Sequence, residues 1–373
     1  MAMGAVLKST FSFLHQNNTY ISQYLGDLTH FDSQQNYQQT IEHFLQLFKT
    51  QPEIILRDEH AGYPSSQYGD QLASALKLPI QKIQHHQAHF GAIIGEHHLM
   101  HSDAPLLGVI WDGTGLGSDG QIWGGEFFKY EQYAFQRCQH FAYFDFILGD
   151  KMPKEPRISA LSIAWNIKEA KDLLKEKFSP TEWRIYHKLL QREGGLQTSS
   201  VGRIFDAVAA LLGIMNKQSY EGEAAMRLEA MASNYFKQYG FHFSSCYFSE
   251  IAFHNSIPTQ FLLTQIILDL KKGKTPAFIA AKFHYSLVSL VKRVAKHLKI
   301  KQIAFSGGVF QNSLLVDLML HYLDQDFDLY FHQQLAPNDE NISFGQLVCY
   351  QIKKHKATFH KNKLNKHVFS DSR

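Results

Sequence analysis

Two histidines one helical turn apart, His85 and His89 in the segment IQHHQAHF, have a spacing that can support metal chemistry. Residues four apart share one face of a helix, so both imidazoles can bind a single ion through ring nitrogens. The chain contains 21 histidines, and a second pair with this spacing, His97 and His101, follows in GEHHLMH. Spacing alone leaves metal binding and ordinary surface or hydrogen-bonded histidines as alternatives for either pair.

A glycine-rich segment, WDGTGLGSDG, follows an apolar run that we predict to be a buried strand. Glycine backbone at Gly113 and Gly115 can approach a phosphate closely enough for its N–H groups to hold it. The carboxylate of Asp112, where the predicted strand ends, is placed to orient a metal, a water or a substrate amide. A tight hairpin with a capping aspartate is the alternative.

A second glycine turn lies in IAFSGGVFQN, where Gly307 and Gly308 separate a predicted strand from a predicted helix. This arrangement supports a nucleotide at a helix N-terminus, with Asn312 within reach of a base or ribose. A lone S-G-G is common in proteins. Two glycine turns after buried strands are less common, and together they favour a nucleotide site.

Further candidates stand where helices are predicted to begin. Asp206, in SSVGRIFDAVAALLG, is placed either to bind ribose hydroxyls or to serve as an acidic residue favoured by the helix dipole. Asp339, in APNDENISFG, either caps its helix or adds an oxygen ligand to the two imidazoles. Gly222 lies between two glutamates in YEGEAAMRLEA, where another helix opens.

The spacing of apolar residues predicts the elements that must position these residues. One pattern, strand–turn–strand followed by helices, occurs twice, starting at residue 2 and again at residue 106. We interpret this as an internal duplication at the level of the fold. The predicted units are a lobe over 1–104, a lobe over 105–355 and a loose basic tail over 356–373. The predicted elements are a hairpin in 2–28, helices over 37–50, 64–76, 84–99 and 283–298, a mainly helical region over about 153–234, and strands over 54–56, 106–111, 121–130, 141–146 and 302–305.

Size and composition exclude several classes of protein. With 373 residues the chain is too long for one simple core. It has no run of about 18 apolar residues, so we expect no membrane partner. A net charge of +3 is too small to favour nucleic acid. The three cysteines lie far apart, at Cys138, Cys246 and Cys349, which argues against a disulfide framework and fits a cytoplasmic protein.

Taken together, these segments resemble a known family. In order, AMGAVLKSTF, RDEHAGYPSS, QHHQAH, DGTGLGSDGQIWGGEF, KEPR, SSVGRIFDAVAALLG, YEGEAAMRLEA, FHYSL, SGGVFQN and PNDENISFGQ resemble the carbamoyltransferase domain of HypF, a protein of hydrogenase maturation. That domain is related to tRNA threonylcarbamoyl-adenosine synthases and O-carbamoyltransferases. The resemblance covers about residues 2–349. It implies a duplicated actin-like ATPase (RNase H-like) α/β fold, with a nucleotide and metal cleft between two lobes.

The resemblance also implies a role for each matching position. His85, His89 and Asp339 match the ligands of a divalent metal, iron or zinc. Asp112, Lys8, Asp58 and His60 match residues near the carbamoyl-transfer centre. His97 and His101 match nothing in the pattern. The positions that match the surroundings of the adenylate are Gly113, Gly115, Asp206, Gly222, Gly307, Gly308 and Asn312.

The implied reaction moves a carbamoyl group from ATP-derived carbamoyl-adenylate to the C-terminal cysteine of a HypE-like acceptor, for cyanide-ligand synthesis. O-carbamoylation of a small molecule and a non-catalytic or split subunit are the alternatives. The acylphosphatase, zinc-finger and synthase regions of HypF have no counterpart in this sequence, so we expect a separate synthase to be needed. The usual H-P-D-Y-L-S-T is here H-A-G-Y-P-S-S, and N-D-G-G is here N-D-E-N, with Glu340 beside Asp339.

Overall fold

The computed structural model describes residues 1–243, 245–249 and 256–368 and has a mixed α/β fold. Its strands are β1 (Ser12–His15), β2 (Asn18–Ile21), β3 (Ile55–Asp58), β4 (Ile80–Ile83), β5 (Leu106–Leu116), β6 (Ile122–Glu131), β7 (Ala134–His140), β8 (Phe144–Asp145), β9 (Gln197–Thr198), β10 (Gln302–Ser306) and β11 (Asp328–Tyr330). Its α-helices are α1 (Phe31–Leu47), α2 (Pro64–Leu76), α3 (His85–Glu96), α4 (Lys151–Lys154), α5 (Pro156–Ala164), α6 (Lys171–Lys175), α7 (Pro180–Leu190), α8 (Val201–Leu211), α9 (Glu223–Tyr239), α10 (Thr259–Lys271), α11 (Pro276–Leu298), α12 (Ser313–Leu323) and α13 (Ile342–Val368).

The N-terminal sheet is built around the first residues of the chain. Ala2 forms an antiparallel bridge with Ser12 in β1 and a parallel bridge with Leu56 in β3. Strands β1 and β2 are antiparallel, and β3 and β4 are parallel. The sheet therefore runs β2, β1, the segment at Ala2, β3 and β4. Helix α3 follows directly after β4, so the sheet fixes the position of the first turn of α3, where His85 lies.

The second sheet has the order β11, β10, β5, β6, β9, β8, with β7 pairing on β6. Strand β5 is parallel to β10 and antiparallel to β6. The register between β5 and β6 shifts between Trp111 and Gly115. This irregularity leaves Asp112 and Gly113 outside the regular ladder, where a β-bulge can redirect a side chain.

Helices α3 and α13 pack against each other through glycines, and this contact positions the site. A Cβ at Gly345 in α13 would lie 1.8 Å from the carbonyl oxygen of Ala88 in α3. A Cβ at Gly91 in α3 would lie 2.8 Å from the carbonyl oxygen of Gly345. The two backbones therefore touch, and any side chain larger than hydrogen would separate the helices.

Local sequence signals explain where several helices begin. Helix α2 has Pro64 at its first position, where the missing N–H removes no hydrogen bond. The Thr275 side chain caps α11, which opens with Pro276. The helix predicted over 64–76 is confirmed at those bounds, and the helix and strand predicted over 283–298 and 302–305 are part of α11 and β10.

Several predicted elements differ in the structure. The turn expected at 112–115 is wrong, because β5 continues to Leu116 and its irregularity absorbs the glycines. Short strands β4 and β7 were not predicted, since their alternation of buried and exposed side chains is weak. The tail expected to be loose from residue 356 is helical to Val368, because an established helix propagates readily into lysine- and alanine-containing sequence. Within the described residues, no helix combines the length and apolarity needed to cross a membrane.

Candidate metal and nucleotide site

The first turn of α3 carries His85, and His89 follows one turn later. The helix begins where the Gln84 side chain accepts a hydrogen bond from the N–H of Gln87. Both imidazoles are buried, and each uses Nδ1 for a contact within the protein: His85 with Asp58 at 2.9 Å, and His89 with Asn341 at 3.0 Å. The Nε2 atoms of both rings have no hydrogen-bond partner.

Two carboxylates from distant parts of the chain face these free nitrogens. Asp112 Oδ2 lies 3.5 Å from Nε2 of His85 and 3.6 Å from Nε2 of His89. Asp339 Oδ1 lies 3.7 Å and 3.6 Å from the same two atoms. All four ligand atoms fall within 4.8 Å of one another. The structure thus brings the three predicted ligands together and adds Asp112 to them.

This group of four fits a metal by the chemistry of its donors. Two neutral imidazole nitrogens and two carboxylate oxygens are a common ligand set for iron and zinc. Burial without a hydrogen-bond partner is costly for a ring nitrogen, so the unpartnered Nε2 atoms of His85 and His89 indicate a missing contact. Metal-binding histidines usually have a second contact through the ring nitrogen that does not bind the metal. Asp58 supplies this contact to His85, and Asn341 supplies it to His89.

The charges of the group are strongly coupled. Burial by itself lowers the pKa of His85, but the nearby carboxylates of Asp112, Asp339 and Asp58 raise it well above its ordinary value. Burial raises the pKa of Asp112, but the neighbouring imidazoles of His85 and His89 bring it well below its ordinary value. Two buried carboxylates need positive charge beside them, and a divalent metal between the carboxylates and the two Nε2 atoms would supply it.

A cavity of about 440 Å³ opens beside this group, and Asp112 and Asp339 belong to both. Asp112 Oδ1 accepts a hydrogen bond from the N–H of Gly308 over 3.0 Å, which joins the two glycine-rich segments. The predicted site residues that line the cavity are Lys8, Asp112, Gly113, Asp206, Gly222, Gly308, Asn312 and Asp339.

Asp206 and Asn312 also line the cavity. Asp206 Oδ2 lies 2.8 Å from Nε of Arg203, yet burial raises the pKa of Asp206 to about 6. Asn312 caps α12 by accepting from the N–H of Leu315, and its Nδ2 lies 3.2 Å from Nε2 of His284. Asn312 therefore has both the structural role of a cap and a place in the lining.

Lys8 reaches the cavity from the N-terminal sheet. Its Nζ lies 3.0 Å from Oε2 of Glu221, a cavity-lining residue that precedes α9. Burial by itself lowers the pKa of Lys8, but the charges of Glu221, Asp339 and Asp112 raise it overall. Lys8 thus carries a positive charge beside the acidic side chains of the cavity lining.

The remaining predicted residues lie behind the cavity instead of in its lining. The ring of His60 stacks on Tyr63 with centroids 4.2 Å apart, and the backbone N–H of His60 donates to Oδ1 of Asp58. A Cβ at Gly115 would lie 2.7 Å from Cδ2 of His85, so glycine there makes room for the imidazole. Gly307 has φ +105° and approaches the carbonyl of Trp111, so its role is to let β10 turn.

The N-D-E-N segment does not require the glycines of the usual pattern. Asp339–Asn341 form a short 3₁₀ turn, and neither Glu340 nor Asn341 has a positive φ. The Glu340 carboxylate lies 3.4 Å from Nδ2 of Asn338 and is not part of the cavity lining. The turn is capped by Asn338, whose side chain accepts from the N–H of Glu340, and not by Asp339. Asp339 is therefore free to face the histidines.

Sequence reasoning missed two contributors. Asp112 was expected to orient a metal, a water or a substrate amide near the transfer centre, but not to join the two histidines as a ligand. Its membership in that group depends on a strand irregularity that spacing does not reveal. Asn341 was noted only as a departure from a motif, although it contacts His89. A signal was present in the second case, because an amide beside a candidate metal-ligand carboxylate is a frequent outer contact.

Comparison with known proteins places this geometry in a family. Residues 1–96 match the family model described as HypF Kae1-like domain. Residues 108–346 match the model described as Carbamoyltransferase, Kae1-like Domain, second subdomain. The carbamoyltransferase HypF of Synechocystis is 34% identical over 94% of this chain and 46% of that protein. A carbamoyltransferase HypF homolog of Cupriavidus necator is 29% identical over 84% of this chain and 82% of that protein.

Solved structures of HypF have a fold similar to that of this chain. The chain is similar to full-length HypF in a phosphate- and nucleotide-bound form, with TM-score 0.83 and 33% identity over 94% of this chain and 45% of that one. HypF of T. kodakarensis has the same fold, with TM-score 0.80 and 24% identity over 94% of this chain. The chain spans about half the length of the full-length relatives, as the 46% coverage shows.

Proposed function

Because the chain belongs to the family of HypF Kae1-like carbamoyltransferase domains, we propose that it transfers a carbamoyl group in hydrogenase maturation. The observation that carries this proposal is the shared position of Asp112 and Asp339. Both face the two unpartnered imidazole nitrogens, and both line the cavity. A metal site and a cavity large enough for a nucleotide would therefore lie side by side, with Asp112 and Asp339 between them.

We infer that the fold is a duplicated actin-like one, with lobes over 1–104 and 105–355. The support is the sheet order. In each sheet a central strand pairs on one side with antiparallel strands and on the other with two successive parallel strands. The cavity receives Lys8 from the first lobe and Asp206 from the second, as a cleft between lobes would.

The donor in this proposal is carbamoyl-adenylate. The solved full-length HypF binds phosphate and nucleotide, which supports a nucleotide at the corresponding cavity. Its phosphate would lie against the backbone at Gly113 and Gly308, where the lack of a side chain leaves room for a close approach. The ribose would meet Asp206 and Asn312, which line the same cavity.

His85, His89, Asp339 and Asp112 would hold the metal, iron or zinc. When bound, such an ion supplies Lewis acidity toward a carbonyl or phosphate oxygen. Asp58 and Asn341 keep the two imidazoles oriented through Nδ1. Lys8 brings a positive charge to the same end of the cavity, where negative charge develops as AMP departs.

In the transfer step, an incoming thiolate sulfur forms a bond to the carbamoyl carbon, and the bond from that carbon to the phosphate oxygen breaks. AMP leaves with the electron pair, and the acceptor carries an S-carbamoyl group. We propose that the acceptor is the C-terminal cysteine of a HypE-like protein in the cytoplasm. The chain's own cysteines do not serve, because none lines the cavity, and burial raises the pKa of Cys138 to about 11 and that of Cys349 to about 12.

The test supplies the donor from outside. The purified full chain, loaded with Fe(II) or Zn(II), is mixed with ATP, carbamoyl phosphate, a separately expressed synthase domain and a HypE-like acceptor. We expect AMP release together with one added carbamoyl group on the acceptor, both dependent on this chain. Absence of both, with preformed carbamoyl-adenylate and bound metal, would refute the transferase assignment. Carbamoylation of a small hydroxyl compound in place of the thiol would favour O-carbamoylation.

Metal analysis provides a matched control within the chain. The double variant His85→Ala/His89→Ala should lose stoichiometric metal. The double variant His97→Ala/His101→Ala removes a pair with identical spacing, whose rings contact the Phe331 carbonyl and the Tyr133 hydroxyl. It should keep its metal. Equal metal content in the two variants would rule out the proposed ligands.

A further inference from the structure

Asn341 contacts His89 at the ring nitrogen that does not face the carboxylates. Its Oδ1 lies 3.0 Å from Nδ1 of His89, and both side chains are fully buried. Asn341 belongs to the same 3₁₀ turn as Asp339, whose Oδ1 lies 3.6 Å from Nε2 of His89. A single turn of the chain therefore supplies a contact to each nitrogen of this imidazole.

The orientation of the amide determines which nitrogen of His89 carries the proton. Asn341 Nδ2 lies 2.9 Å from the backbone carbonyl oxygen of Ala336, a group that can only accept. The amide oxygen must therefore face His89, and Nδ1 of His89 must donate. A neutral imidazole has one N–H, so Nε2 keeps its lone pair. This is the atom that lies 3.6 Å from both Asp112 and Asp339.

The loop before Asn341 is tied to the far end of α3. Glu96, the last residue of that helix, accepts hydrogen bonds from the backbone N–H groups of residues 333 and 334 at 2.7 and 2.6 Å. His332 Nδ1 lies 2.5 Å from the other oxygen of Glu96, and His332 Nε2 lies 3.3 Å from Asn341 Nδ2. The helix that carries the histidines and the loop that carries Asp339 are thus joined at two points.

The two imidazoles are held by different chemistry. His85 donates from Nδ1 to a carboxylate, Asp58, at 2.9 Å. His89 donates to a neutral amide. The group already contains the carboxylates of Asp112 and Asp339, so a further negative charge beside His89 would add repulsion within a buried site. An amide fixes the tautomer without that charge.

We propose that Asn341 is a positioning residue that holds His89 in the tautomer and orientation required for metal binding through Nε2. This inference rests on the metal site of the proposed function. Without the amide oxygen, Nδ1 of His89 loses its buried acceptor, and the ring is free to carry its proton on Nε2, which then cannot bind metal. Outer contacts of this kind are typically worth about 10- to 100-fold in metal affinity.

The experiment compares Asn341→Gly with Glu340→Gly in the full chain. Both variants put glycine into the same turn, but only the first removes the contact to His89. Zn(II) affinity is measured by competition with a chromophoric chelator, and the Co(II) absorption spectrum reports ligand geometry. The melting temperature of each metal-free variant shows whether it is folded. We expect N341G to bind Zn(II) about 10- to 100-fold more weakly than E340G, with an altered Co(II) spectrum.

A further variant keeps the size of the side chain. Asn341→Leu fills the same space but lacks the acceptor, so N341L should bind Zn(II) about as weakly as N341G. Equal Zn(II) affinity of N341G, N341L and wild type would overturn the positioning role while leaving the metal site intact. Wild-type affinity in N341L together with a loss in N341G would also overturn it, since packing would then be the cause. No Zn(II) binding by the wild type would refute the metal site itself and the inference with it.

Discussion

Replacing Gly345 with alanine tests the close packing of α3 and α13, because two physical effects predict opposite signs. Alanine in place of glycine inside a helix normally stabilises it by about 1 kcal/mol. Here the new Cβ would lie 1.8 Å from the carbonyl oxygen of Ala88. A normal contact would require the helices to separate by roughly 1.5 Å, and forced overpacking of this kind typically costs about 1–3 kcal/mol, sometimes more. Because 1.8 Å is far inside contact distance, the upper end of that range applies, and after subtracting the helix gain we expect a net loss of about 2 kcal/mol.

The same separation should reach the metal site. Ala88 directly precedes His89, whereas Gly345 follows Asp339 by less than two helical turns, so moving the helices apart displaces an imidazole from a carboxylate. Urea unfolding of the metal-free chain measures the stability, and chelator competition measures Zn(II) affinity. Gly195→Ala is the matched control, because a Cβ there meets nothing within 4 Å and Gly195 has no positive φ.

A graded variant separates backbone contact from side-chain contact. A Cβ at Gly95 would lie 2.5 Å from a methyl group of Val348, which can move more easily than a carbonyl. The expected order of destabilisation is therefore Gly345→Ala, then Gly95→Ala, then Gly195→Ala. A Gly345→Ala chain as stable as wild type, with unchanged Zn(II) affinity, would show that the helices do not touch as described.

Two further predictions concern buried titratable groups. Burial lowers the pKa of His284 from 6.5 to about 4, so its contribution to stability is present above pH 6.5 and is lost as the pH falls toward 4. Between pH 7.5 and 5 the loss is about 2 kcal/mol, and urea unfolding of His284→Gln should show a correspondingly flatter pH dependence than wild type. Burial raises the pKa of Asp206 from 3.8 to about 6, so wild type loses stability as the pH rises through that window, by up to about 3 kcal/mol. Asp206→Asn should lack this loss yet bind AMP at least about 10-fold more weakly by calorimetry, since it loses a charged acceptor for ribose; unchanged AMP affinity would exclude the ribose contact.

Much of the candidate site was predictable because its parts are local. His85 and His89 are one turn apart, so any helix at this position puts them on one face. Their motif and that of Asp339 are also part of the resemblance to a family, and the family models match the ranges that contain them. The boundaries of short strands were less predictable. Strand β4 has only one buried residue, Ile83, so the sequence carries little alternation there.

The sequence by itself determined the chemistry available to this protein: two imidazoles at helical spacing, acidic residues near glycines, and no cysteine in a reactive motif. Tertiary structure decided which of these groups meet. Asp112 joins the histidines because an irregular strand turns its carboxylate toward them, and Asn341 orients His89 from 252 residues away. Contacts at such separations depend on how sheets and helices pack, and the α3–α13 approach at Gly345 sets that packing for the metal-facing side. The spacing of residues along the sequence carries no information about these contacts or about this packing.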